Sequence, residues 1–191
     1  MRRFLVIGRT GVGKSSFINS AVGAKLAKTS PFEPCTATVE RIAYGTAFGD
    51  VCLIDSPGLA EGDRSLDDDY MKSVKREVKI QELDSCLYLS RLNEHRLGGD
   101  ERRVLNAITS HLGPAIWAKT WLVLTFAASL PSEIRLEAAR NRVEQIEGYL
   151  RGIIPAPPGF KSFQTKMLVD NVTRNWMEGG APLAQILVSH P

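Results

Sequence analysis

Residues 8–15, Gly8-Arg9-Thr10-Gly11-Val12-Gly13-Lys14-Ser15, spell G-x-x-x-x-G-K-[ST]. The pattern constrains the fold because it functions in one setting only, as a turn between a buried strand and the start of a helix. Both flanks are present. Phe4 to Ile7 is a continuous apolar run of the buried-strand type, and Ser15 to Val22 reads as a helix. In that setting the backbone N–H groups from Arg9 through Ser16 face a chain of phosphates at the positive end of the helix. Lys14 then reaches the β- and γ-phosphates, and the Ser15 hydroxyl holds Mg²⁺.

Downstream, strand-like and helix-like segments alternate. Residues 37–44 and 50–55 form two strand-like runs joined through Gly45 to Gly49, which predicts a hairpin. A helix is expected from Asp67 to about Gln81, its Asp67-Asp68-Asp69 run suiting a helix N-terminus better than a metal. Strands at 85–91, 120–126 and 165–170 alternate with helices at about 99–111, 132–151 and 183–189, with Ser132 as a cap. The expected fold class is α/β: a three-layer domain with a mainly parallel sheet and one antiparallel edge hairpin.

Composition narrows the partners. At 191 residues the chain is read as one domain spanning 1–191, and a formal charge of +3 without a basic block gives no sign of nucleic acid. Cys35, Cys52 and Cys86 form no CxxC pair, and no apolar run approaches a membrane span. These features suit a domain in the cytoplasm, or on the cytosolic face of a membrane as part of a longer protein.

"VCLIDSPG" supplies the second half of a phosphate site. A strand ending in Asp55, with Gly58 three residues on, is the D-x-x-G arrangement of a GTPase switch. Asp55 would bind Mg²⁺ directly or through water, and the Gly58 N–H would sense the γ-phosphate. Between the two motifs, Thr36 is the first choice to close over Mg²⁺ and the γ-phosphate, and Thr38 is the reserve. Leu59 stands where Ras-like enzymes place a water-positioning glutamine, so a lone subunit should hydrolyse GTP slowly. The strand end that normally reads guanine as (Asn/Thr)-Lys-x-Asp is here Thr125-Phe126-Ala127-Ala128, which lacks the lysine and the aspartate.

That gap points to a family. "GRTGVGKSS", "LYLSRLNEHR", "ITSHLGPAIWAKTWLVLTFAASLP" and "LVDN" stand in the order of Toc-type blocks, so the chain resembles the Toc receptor GTPases and their GIMAP (AIG1-type) relatives from residue 4 to about 188. The resemblance implies that Asp170 holds the guanine N1–H and N2–H, that Asn171 assists at O6, and that Phe126 covers one face of the base. It also implies that Arg91 crosses a dimer interface to the partner's phosphates; Arg96 and Arg9 are lesser candidates. Toc proteins usually carry histidine where Phe126 stands and an acid where Ser90 stands.

The resulting expectation is a regulatory GTPase with Mg²⁺ as cofactor and Lys14, Arg91 and Thr36 in catalysis. Its nucleotide-dependent homodimer would control recruitment of a partner or cargo. An adenine-nucleotide kinase or ATPase, and a GTP-binding scaffold without useful hydrolysis, are the alternatives the motifs leave open.

Overall fold

A computed structural model describes residues 1–27, 38–62, 64–155, 159–170, 175–176 and 182–189, with the backbone alone at 170, 175 and 176. Among the described residues seven strands form one sheet: β1 (Arg2–Gly8), β2 (Glu40–Thr46), β3 (Gly49–Asp55), β4 (Ser85–Arg91), β5 (Thr120–Thr125), β6 (Thr165–Asp170) and β7 (Asn175–Trp176). Their spatial order is β2-β3-β1-β4-β5-β6-β7. β3, β1, β4, β5 and β6 run parallel, whereas β2 pairs antiparallel with β3 through the expected hairpin. A second antiparallel pair, β6 with β7, closes the other edge and lies outside the sequence-based expectation.

Helices α1 (Lys14–Val22), α2 (Arg64–Glu77), α3 (Gly99–Leu112), α4 (Ser132–Ile153) and α5 (Leu183–Ser189) cover the sheet. Strand alternation explains the three layers. Leu5 and Ile7 of β1 point into one apolar cluster with Met71, Val104, Ile108 and Ile146 from α2, α3 and α4. Phe4 and Val6 point to the other face, into a cluster with Phe17 and Ile18 of α1 and Leu183 and Leu187 of α5. The central strands are buried on both faces, which is why they read as unbroken apolar runs.

Two local expectations need correction. Ser132 does not cap α4: it is the first helical residue, Pro131 occupies the cap position, and the Ser132 hydroxyl donates to Glu133 at 3.2 Å. Proline before a helix fixes the entry angle without a side-chain bond. Helix α2 spans 64–77 instead of 67–81, with a separate 3₁₀ turn at Ile80–Glu82. Asp67 therefore falls in its first turn, where its carboxylate turns back to accept the Ala60 N–H at 2.7 Å.

A buried charged cluster ties the layer of α3 and α4 to the sheet. Glu101 of α3 accepts from the Tyr88 hydroxyl at 3.0 Å and the Ser90 hydroxyl at 2.6 Å, both on β4. Its other oxygen pairs with Arg142 of α4, whose Nε donates to Ser90 Oγ at 3.1 Å. Burial first, and the Glu101 carboxylate second, push the Tyr88 hydroxyl well above its usual pKa, so it stays a donor. Breaking one partner of a buried pair strands the other charge. Arg142→Ala should therefore cost about 3–5 kcal/mol in urea unfolding; a loss under ~1 kcal/mol would mean that Glu101 finds water instead.

Candidate active site

The parallel strands all end on one edge of the sheet. Chain order reverses at β1, with β3 on one side and β4 on the other, and such a switch point opens a crevice beyond the strand ends. Gly8, Asp55, Arg91, Thr125 and Asp170 are the last residues of their strands and so share that edge.

The phosphate loop fills the crevice. Gly13 adopts φ 89° at the cap of α1, a left-handed turn that glycine makes without strain. Among the described residues no side chain caps α1, and its first turn holds no acid, which leaves the positive helix end suited to an anion. Lys14 bends back over the loop, its Nζ 3.3 Å from the carbonyls of both Gly8 and Arg9. Ser15 Oγ lies 3.3 Å from Asp55 Oδ2, across from the end of β3. An all-oxygen pair of one hydroxyl and one carboxylate, facing a phosphate loop, fits Mg²⁺.

The switch segment is stitched to this loop. Ser56 N–H donates to Val6 O at 3.2 Å, Leu59 N–H to Gly8 O at 3.3 Å and Thr10 N–H to Leu59 O at 2.8 Å. The contact is so close that a Cβ on Gly58 would stand 2.1 Å from Thr10 Oγ1 and 3.0 Å from Thr10 Cα. Glycine at 58 is thus required for the joint as well as for any role toward the γ-phosphate. Leu59 is 1% exposed and its side chain enters the core. Beyond it, Asp67 holds the Ala60 N–H and pairs with Arg103 at 2.8 Å, while Arg103 also donates to Gly62 O.

On the base side, Thr125 is fully buried. Its hydroxyl lies 2.8 Å from Val12 O and 3.2 Å from Ser90 O. Thr125, expected from sequence among the nucleotide-binding residues, braces the phosphate loop from beneath with its hydroxyl. Phe126 follows in a left-handed conformation, φ 58°, and is 38% exposed at the edge of the site. The Arg91 guanidinium carbon lies 4.2 Å from the Phe126 ring centroid. Asp170 ends β6 at the same edge, and its backbone pairs with Asn175. Thr36 and Asn171 lie outside the described residues; Thr38, just before β2, is exposed. Arg96 lies beside Leu97, Arg102, Gln145 and Tyr149, next to α4.

Three supports escaped the sequence reading: Asp67 at the switch, the Glu101–Arg142 pair beneath Ser90, and Glu94. Arg9 makes an ion pair with Glu94, which also lies 3.8 Å from Arg91 Nε. Glu101 and Arg142 did leave a signal, because each occupies an apolar face: Glu101 with Leu105, Ile108 and Leu112, and Arg142 with Ile146 and Leu150. Glu94 left none, since it sits in a connecting segment.

Thr125 offers a direct test of the brace. Thr125→Val keeps shape but leaves the Val12 carbonyl unpaired, and should cost about 1–3 kcal/mol of stability and loosen nucleotide binding. Thr125→Ser should restore both. Equal stability and affinity in the valine variant, by urea titration and calorimetry, would show that the loop holds its form without it.

Comparison with known proteins agrees with this geometry. The model of the 50S ribosome-binding GTPase family (MMR_HSR1) matches residues 3–124. Translocase of chloroplast 34 of Arabidopsis thaliana is 36% identical over 129 residues, covering 68% of this chain and 41% of that protein. Translocase of chloroplast 90 from the same plant is 39% identical over 131 residues, covering 66% and 16% respectively. The chain thus spans less than half the length of these curated relatives. Toc33 of Arabidopsis thaliana, solved in complex with GDP and Mg²⁺, superposes with a TM-score of 0.79 at 26% identity, over 98% of this chain and 81% of that one. Aquifex aeolicus Era bound to GDP·AlF4⁻ superposes with a TM-score of 0.67 over 100% of this chain and 58% of that one; at 17% identity the likeness is one of fold. The chain belongs to the 50S ribosome-binding GTPase family of P-loop GTPases, with Toc-type translocase GTPases among its relatives.

Proposed function

We propose that this chain is a guanine-nucleotide switch that hydrolyses GTP slowly alone and pairs with a second copy in its GTP state, so that assembly controls recruitment of a partner or cargo. The observation that carries the reading is Leu59. Buried at 1% exposure, it offers the attacking water no hydrogen bond, so positioning must come from elsewhere. Arg91 is the candidate. It ends β4 on the ligand edge, and its side chain is 32% exposed. Relatives support the assignment: dimerisation is important for the GTPase activity of atToc33 and psToc159, and a Toc33 variant is described as dimerisation-deficient.

In this reading Lys14 neutralises the β- and γ-phosphates, and Arg9 to Ser16 supply backbone donors around them. Bound Mg²⁺ offsets phosphate charge, with Ser15 and Asp55 as the residues that would hold it and Thr36 as the third expected ligand. Asp170, at the end of β6, accepts the guanine N1–H and N2–H, with Asn171 beside O6 and Phe126 against the base. Among the described residues no helix is long and apolar enough to cross a membrane. The translocase relatives support a place on the cytosolic face of a membrane as part of a longer protein.

Three outcomes follow. Lys14→Ala should abolish nucleotide binding in calorimetry, and retained affinity would remove the phosphate loop from the account. Asp170→Ala should weaken GTP binding while leaving ATP binding as poor as before; unchanged guanine preference would unseat Asp170. Sedimentation should show a monomer with GDP and a dimer with a non-hydrolysable GTP analogue, and Arg91→Ala should lose most of the rise in turnover with protein concentration. An arginine supplied in trans is worth ~10³-fold or more in favourable cases. A monomer in both states would end the dimer reading.

A further inference from the structure

Three arginines from three parts of the chain converge on one carboxylate. Glu94 lies in the segment between β4 and α3, with its side chain 28% exposed. Arg9 of the phosphate loop pairs with its Oε1, Arg91 Nε stands 3.8 Å from the same oxygen, and Arg142 faces Oε2 at 3.8 Å. The three cations are not equivalent. Arg142 is 2% exposed and already bound to Glu101 and Ser90, so it is a fixed backstop that orients Glu94. Arg9, in the phosphate loop, and Arg91, at the end of β4, are more open, with side chains 21% and 32% exposed.

Arg91 is held by two further groups. Its Nε donates to Asn93 Oδ1 at 3.3 Å, and its guanidinium lies over the Phe126 ring at 4.2 Å. Phe126 cannot drift away easily, because its backbone bonds with Ser129 in the following 3₁₀ turn. Anchoring below is equally firm, since Leu92 N–H donates to Thr125 O at 2.9 Å. Arg91 is thus folded back onto its own subunit by a carboxylate, an amide and an aromatic face.

We propose that Glu94, with Asn93 and Phe126, is a clamp that holds Arg91 in cis and so sets the protein concentration at which the dimer becomes active. The proposal rests on the reading that Arg91 works in trans. One guanidinium cannot stack on its own Phe126 and reach a partner's phosphates together, so each trans engagement must first break the three contacts. An equilibrium between the held and extended arginine lowers the apparent affinity of the productive dimer by the extended fraction. Glu94 is a positioning residue here. It acts on Arg91 and not on the nucleotide.

The test is GTP turnover per subunit against protein concentration for the wild type, Asn93→Ala and Glu94→Gln, each with and without Arg91→Ala. Asn93→Ala frees Arg91 without touching Arg9, so agreement between the two variants excludes an effect through the phosphate loop. Freeing a partly exposed charged side chain should lower the concentration of half-maximal turnover about threefold in each. A merely structural defect would lower the plateau and leave that midpoint in place. In the Arg91→Ala background neither substitution should restore the rise of turnover with concentration. If Arg91→Ala flattens the wild-type curve but both variants keep the wild-type midpoint, the clamp is wrong and the trans reading stands. If Arg91→Ala leaves the wild-type curve unchanged, the trans reading and the clamp fall together.

Discussion

Everything at this site depends on a phosphate loop whose backbone is held in shape by hydrogen bonds from two sides. Thr125 lies beneath it, its buried hydroxyl 2.8 Å from the Val12 carbonyl, and Leu59 lies beside it, exchanging backbone bonds with Gly8 and Thr10. A loop of this composition would otherwise lose much conformational entropy on receiving a ligand. Because β5 and the segment after β3 already fix it, less of that ordering is left to the nucleotide. The same hydrogen bonds hold the switch segment against the loop, so a change at Gly58 is felt at Thr10.

The second constraint is electrostatic. A sheet edge that collects Arg9, Arg91 and Arg142 would repel itself without compensating carboxylates, and Glu94 and Glu101 supply them. Glu101 is buried and satisfied by three partners, the Tyr88 and Ser90 hydroxyls and the Arg142 guanidinium, which makes it a fixed part of the scaffold. Glu94 is more open, which leaves its pairs exchangeable. The division between a rigid pair inside and a more open one at the rim suits the release of Arg91 proposed above. Ser90 belongs to the rigid half: it links Glu101, Arg142 and Thr125 through one hydroxyl and one carbonyl.

Much of this was legible in the residue order. The strands read at 85–91, 120–126 and 165–170 stood out as apolar runs, the second ending one residue earlier at Thr125 because Phe126 turns left-handed, and the phosphate loop stood out because its chemistry dictates its glycines. The hairpin followed from two apolar runs about a turn. What escaped was set by contacts distant in sequence. The brace from the Thr125 hydroxyl was not legible, because the Val12 carbonyl that it binds lies 113 residues away. Ser132 looked like a cap, but Pro131 already fixed the entry to α4. Two-residue β7 is too short to carry a periodicity.

The central claim is that this site is built for a guanine nucleotide, although the usual lysine and aspartate are Phe126 and Ala128. Calorimetric titration of the wild-type chain with GTP, GDP and ATP in the presence of Mg²⁺ measures it most directly. The account predicts that GTP and GDP bind and that ATP binds about a hundredfold more weakly, since adenine would leave a charged acceptor unpaired. ATP binding as tight as GTP binding would contradict it.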